Sequence, residues 1–138
     1  MALILDTSVL LAGLDASDPD HGACAELIAG ASENLLVPAL VLSELDYRCH
    51  ERLSADVWLA FLEDVLGGAY SVECPTQDDL VRCHMLQRTY ADLEVGVVDA
   101  SVLALAEQLG EPKLATLDYR HFATMRPRHA AALELLPG

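Results

Sequence analysis

Apolar and polar positions fall into short blocks along the chain. Ala2 to Leu5 is an uninterrupted apolar run that stops at Asp6, the pattern of a buried strand. Ser8 to Leu14 reads as a short helix. Asp20, just after Pro19, is placed to cap a helix running to about Ala31. Leu35 to Val37 is a short strand, and Pro38 suits the first turn of a helix that continues to about Arg52. Ser54 caps a further helix ending at Gly67-Gly68, and Tyr70 to Glu73 is a strand. Thr76 to Asp79 resembles a capping box, opening a helix to about Tyr90. A loop, Ala91 to Gly96, precedes a helix from Val98 to Leu109 with Gly110 as its C-cap. Leu114 to Leu117 is a strand ending in Asp118, and Leu133 to Leu136 is a last strand. Short strands alternating with helices predict an α/β fold with a mainly parallel sheet. In such sheets the ligand site lies beyond the carboxyl ends of the strands.

No repeat, linker or low-complexity tract interrupts this pattern, and 138 residues suit one domain over 1–138. Hydrophobic residues make up 53% and charged residues 22%, which excludes intrinsic disorder. Eight Lys and Arg against 22 Asp and Glu give a net charge of −14. That balance argues against non-specific binding to nucleic acid or to an anionic membrane. The longest stretch without a charged side chain, Asn34 to Ser43, is about half of what a membrane span needs. The N-terminus has no basic region and meets an acid at Asp6, so no signal peptide is expected. Cys24, Cys49, Cys74 and Cys83 lack Cys-x-x-Cys spacing, which disfavours zinc and a disulfide framework. A cytoplasmic protein with reduced, mostly buried thiols is the expectation.

Most acids, Glu33, Asp79 and Glu107 among them, fall on predicted solvent faces. Four do not. Asp6 and Asp118 each end an apolar strand, beside hydroxyl residues in the case of Asp6. Such an acid either ligates a metal or caps the next helix. Glu44 projects between Leu40 and Val41 on the apolar side of its helix, with Arg48 one turn later as a possible ion-pair partner. Asp99 shares a helix side with Leu103 and Ala106, in a first turn that also favours an anion. Inward acids are costly unless paired or bound to a cation. Four of them sharing a pocket would repel one another, and a divalent cation removes that repulsion. Oxygen ligands with no His or Cys nearby select Mg²⁺ or Mn²⁺. Asp92, in the loop before the Asp99 helix, is either a further ligand or a residue that holds the loop.

Taken in order, Leu5-Asp6-Thr7-Ser8, Leu42-Ser43-Glu44-Leu45, Gly96-Val97-Val98-Asp99-Ala100-Ser101 and Ala115-Thr116-Leu117-Asp118 resemble the four acidic motifs of the PIN-domain family. The resemblance runs over essentially the whole chain, including the ending Asp118-Tyr119-Arg120-His121-Phe122. Its nearest relatives would be VapC-type toxins of bacterial toxin–antitoxin (VapBC) modules. The resemblance implies a three-layer α/β/α sandwich. It also implies Mg²⁺-dependent endoribonuclease activity on structured RNA (a tRNA or an rRNA loop), restrained by a small antitoxin. Asp6 and Asp99 match the principal metal ligands, Glu44 and Asp118 the remaining acids of the catalytic quartet, and Ser8 a hydroxyl supporting the first acid. Asp92 matches an acid present in many relatives but not in the core motif.

Residues 113–138 carry four bases, Lys113, Arg120, Arg126 and Arg128, against Asp118 and Glu134. Arg120, Arg126 and Arg128 are therefore candidates for phosphate contacts. Arg48 either reaches substrate or pairs with Glu44. The helix from Ala55 to Leu66 has more apolar residues than one buried stripe requires, so it offers an antitoxin groove or a homodimer face. Two other readings stand beside the toxin: a PIN nuclease of RNA processing without an antitoxin, and a non-catalytic PIN-like or receiver-like interaction module. A receiver would want paired acids after its first strand and a Lys at a late strand's end. The chain has one acid there, and its only Lys, Lys113, precedes its strand.

Overall fold

Five strands form one sheet in the computed structural model, which describes residues 1–138. They are β1 (Ala2–Leu5), β2 (Asn34–Pro38), β3 (Ser71–Glu73), β4 (Lys113–Ala115) and β5 (Glu134–Leu136). All pairings are parallel and the order is β3-β2-β1-β4-β5. The helices are α1 (Thr7–Leu14), α2 (His21–Gly30), α3 (Ala39–Arg52), α4 (Ala55–Leu66), α5 (Gln77–Thr89), α6 (Val97–Leu109) and α7 (Tyr119–Thr124). The chain steps one way from β1 to β3, then crosses back to β4 and β5. With right-handed crossovers this reversal covers both faces of the sheet, giving a three-layer α/β/α sandwich.

The burial pattern explains why β1 lacks alternation. Leu3, Ile4 and Leu5 are all buried because helices lie on both sides of the strand. They join Leu45 of α3, Leu103 of α6 and Leu114 of β4 in one hydrophobic core. Helix starts follow the expected chemistry at two places. Ser54 accepts from the Val57 N–H at 3.3 Å, and Thr76 with Asp79 closes the capping box of α5. At Gly110 the chain turns left-handed, φ 66°, to end α6.

Several expectations need correction. Asp20 precedes α2 but its side chain caps nothing; Asp18 instead accepts from the Asp20 N–H at 2.8 Å. The segment 91–96 contains a 3-10 turn, Ala91–Leu93, and a short helix, α7, follows Asp118 where the apolar pattern predicts none. The fourth strand stops at Ala115 instead of Leu117. Its pairing with β1 ends where the Asp6 N–H meets the Ala115 carbonyl at 2.9 Å, and its pairing with β5 ends where the Thr116 N–H meets the Leu136 carbonyl at 2.9 Å. Beyond that, side-chain hydroxyls take the backbone donors: Leu117 N–H goes to Ser8 Oγ (2.9 Å) and Asp118 N–H to Thr116 Oγ1 (3.0 Å). Glu33, Asp79 and Glu107 are not solvated surface acids. Glu33 is paired with Lys113, Asp79 is buried in its capping box, and Glu107 is held by Arg82. Cys24, Cys49 and Cys83 are buried free thiols, and Cys74 is exposed. No helix is long and apolar enough to cross a membrane.

Candidate active site

β1 and β4 are neighbours whose onward connections run in opposite directions, so their carboxyl ends open a crevice. A cleft of about 500 Å³ lies there, lined by Asp6, Ser8, Glu44, Asp99 and Asp118. Four separate elements deliver the four acids. Asp6 follows β1, Glu44 comes from the middle of α3, Asp99 from the first turn of α6, and Asp118 from the segment between β4 and α7.

Asp6 is the most deeply set, with 3% of its surface exposed. One oxygen, Oδ2, accepts from Thr116 Oγ1 at 2.8 Å and from Ser8 Oγ at 3.2 Å. The other, Oδ1, is buried with no partner. Burial, and then the charge of Asp99, push the Asp6 carboxyl up to about 7 against the opposition of those hydrogen bonds. An orphaned carboxylate oxygen is expensive in a folded interior and marks a place where something else binds. Ser8 braces the site twice, through Asp6 and through the Leu117 N–H.

Asp99 is also raised by burial, a shift that its hydrogen bond to His121 opposes and the charges of Asp118 and Glu44 reinforce. Asp118 caps α7 by accepting from the His121 N–H at 3.1 Å. The His121 ring joins these acids. Its Nδ1 lies 2.7 Å from Asp99 Oδ2 and 2.9 Å from Asp118 Oδ2, and its Nε2 lies 3.1 Å from the Leu93 carbonyl. Both nitrogens face acceptors alone, so the geometry calls for an imidazolium donating on both sides. Burial alone would lower the pKa of His121, but the Asp99 hydrogen bond and the two acidic charges outweigh it and raise it. This corrects the expectation of an acidic site with no His nearby. The ligand atoms of Asp99, Asp118 and His121 all lie within 4.8 Å of one another.

Other sequence candidates fall differently. Arg48 turns its guanidinium to Glu51 at 3.4 Å, so the Glu44–Arg48 ion pair does not form and Glu44 faces the cleft. Asp92 is exposed on the 3-10 turn and is not among the cleft residues. Arg126 and Arg128 also lie outside the cleft lining. Their backbone N–H groups bind Tyr90 Oη (2.9 Å) and Glu107 Oε2 (2.7 Å). Arg120 is exposed on α7. Sequence reasoning missed Thr116 and His121. Thr116 carried a signal, as a hydroxyl two residues before Asp118. His121 carried little, because its role depends on α6, α7 and the 3-10 turn meeting in space.

The donor set suits a hard divalent cation: four carboxylates line one cleft, and Asp6 Oδ1 lacks any partner within the chain, although only Asp99 and Asp118, with His121, bring their ligand atoms within 4.8 Å of one another. Known proteins agree with this architecture. The PIN-domain model matches residues 3–134. Ribonuclease VapC26 of Mycobacterium tuberculosis is 34% identical over 98% of this chain and 100% of its own. Among solved structures, VapC20 of M. tuberculosis, described as a sarcin–ricin loop cleaving toxin, superposes with a TM-score of 0.79 at 22% identity, over 86% of this chain and 92% of that one. A chain of VapBC2 from Rickettsia felis, bound to a promoter DNA fragment, superposes at 0.67 with 18% identity, over 98% and 97%. By sequence, by sheet order and by the acids gathered at its switch point, the chain belongs to the PIN-domain family, among its VapC-type members.

Proposed function

We propose that this protein is a Mg²⁺-dependent endoribonuclease, the toxin of a type II toxin–antitoxin pair, that hydrolyses phosphodiester bonds in structured RNA. The observation that carries the reading is the buried, half-satisfied carboxylate of Asp6 facing Glu44, Asp99 and Asp118 in one cleft. Asp6, Asp99 and Glu44 would hold the cation, with Asp118 adjoining, and Mn²⁺ would substitute for Mg²⁺. When bound, the cation supplies a water of lowered pKa and neutralises charge on the phosphate.

The chain's own residues do the rest. Ser8 and Thr116 fix the orientation of Asp6 by holding its Oδ2. His121 holds Asp99 and Asp118 together across α6 and α7 and ties both to the Leu93 carbonyl. Asp92, exposed beside this tie, is assigned to the loop and not to the metal. Arg120, exposed two residues after Asp118, is the tail residue best placed for a phosphate contact. On α4, Leu59 and Leu66 are 51% and 81% exposed, which supports an apolar contact with an antitoxin or a second copy. The neighbours solved as VapBC assemblies, and one from Klebsiella pneumoniae described as a toxin–antitoxin complex, favour the antitoxin. The likeness to VapC26 along its full length favours the nuclease over a non-catalytic module. Action in the cytoplasm follows from the same reading.

The test is Mg²⁺-dependent cleavage of total bacterial RNA by wild type, Asp6→Asn and Asp99→Asn, each freed of any partner. Cleavage by wild type alone is expected. Equal cleavage by all three, or none by wild type, overturns the reading.

A further inference from the structure

The acids at the switch point deal with one phosphate, the one being cut. Its neighbours along an RNA strand carry the same charge, and in a protein of net charge −14 most surface repels them. Apart from the His121 ring, which is committed to Asp99 and Asp118, the cationic side chains lining the cleft come from one element: Arg48 and Arg52 of α3. They follow Glu44 at i+4 and i+8, so all three share one slowly turning helix face. At 1.5 Å rise per residue, Arg48 lies about 6 Å and Arg52 about 12 Å beyond Glu44 along the axis.

The two arginines are also uncommitted. Arg82 and Lys113 are tied up with Glu107 and Glu33 in ion pairs away from the cleft. Arg48, by contrast, makes only a solvent-exposed 3.4 Å contact with Glu51, at 46% side-chain exposure. Such a contact contributes little and yields readily to a phosphate. Arg52 makes no ion pair within the chain; its charge helps lower the Asp15 carboxyl, after the stronger effect of the Ser17 hydrogen bonds.

Resting on the nuclease reading above, we propose that Arg48 and Arg52 form a phosphate-binding rail that seats the RNA backbone on one side of the cleavage point. The ligand class is the phosphodiester backbone of a single RNA strand. Glu44 begins this rail at the metal end, and the arginines extend it along α3 toward the helix's carboxyl end. Binding is therefore asymmetric about the cut bond: the nucleotides lying over α3 are held, and those on the other side are held less.

The experiment compares wild type with Arg48→Ala, Arg52→Ala, the double variant and the conservative Arg48→Lys/Arg52→Lys pair. Both residues are exposed, so melting temperatures should stay close to wild type. The probe is a labelled hairpin RNA chosen for cleavage by wild type with Mg²⁺. KM should rise about tenfold for each arginine removed, with a smaller change in kcat, and the lysine pair should recover most of it. The slope of log affinity against log salt should shrink by about 0.7 per arginine. Calorimetric Mg²⁺ affinity should be unchanged or tighter. An active wild type whose double variant keeps KM and salt slope overturns the rail while leaving the nuclease reading intact. Loss of Mg²⁺ binding in the double variant also overturns it, by assigning the arginines to the metal site's integrity. So does an acidic polyglutamate peptide that needs both arginines while RNA binding does not, which assigns them to a protein partner. A wild type that cleaves no RNA overturns the nuclease reading itself.

Discussion

Two of the places where this molecule withdraws acids from water treat them in opposite ways. On the seam between α5, α6 and the tail, Glu107 has every oxygen occupied. Arg82 donates from Nε at 2.8 Å and from Nη2 at 2.9 Å, and the Arg128 N–H donates at 2.7 Å. Burial by itself would raise the Glu107 carboxyl, yet the Arg82 contacts bring it below the ordinary carboxylate range. In the cleft, Asp6 keeps an oxygen without a partner, and burial with Asp99 drives its carboxyl upward to about 7. Sequence alone assigns Glu107 to a solvent face and Asp6 to a site. The structure shows both partly or wholly removed from water; what separates them is whether the fold supplies a cation. A charge completed by the fold stabilises the fold, whereas a charge left incomplete is open to a ligand.

The sharpest way to break this contrast is to exchange the consequences of mutation. Asp99→Asn should reduce RNA cleavage by about 10³-fold or more while leaving the chain folded. Arg82→Ala should do the reverse. It strands a nearly buried Glu107 and should cost about 3 kcal/mol of stability, with the cleavage rate of the folded fraction retained. Urea unfolding with parallel cleavage assays reads both. An Arg82 variant that is stable but inactive would show that the seam belongs to the site.

A smaller effect concerns pH. Asp6 sits at about 7 when folded against 3.8 ordinarily, so the folded chain holds its proton more tightly. That contribution is complete below 3.8 and is lost as pH rises through about 7. Asp99 and His121 are also raised and act in the same sense. The metal-free protein should therefore melt at lower temperature at about pH 8 than at about pH 5. Asp6→Asn should flatten this dependence and raise the metal-free melting temperature at the alkaline end by a few degrees. A wild-type profile that rises toward pH 8 would contradict the site's electrostatics.

The smallest expected effect lies in the tail. Arg126→Ala with Arg128→Ala should weaken RNA affinity by about twofold to threefold, as expected for solvated charges outside the cleft. A loss as large as that of the Arg48 and Arg52 pair would move the RNA path toward the tail.

The sequence makes much of this legible for a physical reason. Asp6, Glu44 and Asp99 contradict their local pattern, an acid at a buried strand's end or on an apolar helix stripe, and such contradictions mark sites. The parallel sheet follows from alternating short strands and helices. What the pattern hides is whatever depends on distant partners. Glu107 reads as surface because Arg82 is 25 residues away. Arg48 is four residues from Glu44 and eligible to pair with it, yet the fold turns it to Glu51. His121 lies in a recognisable ending, but its bridging of Asp99, Asp118 and Leu93 needs three elements to converge. The early end of β4 depends on hydroxyls of Ser8 and Thr116 taking backbone donors, which no periodicity records.

The central claim is that the unsatisfied carboxylate of Asp6 is held for a divalent cation. The most direct test is calorimetric titration of Mg²⁺ into partner-free protein near neutral pH, repeated in buffers of different ionisation enthalpy. Wild type should bind Mg²⁺ and release a fraction of a proton as the Asp6 carboxyl ionises, and Asp6→Asn should lose both the binding and the proton. Undiminished Mg²⁺ binding by Asp6→Asn, or none by wild type, would contradict the account.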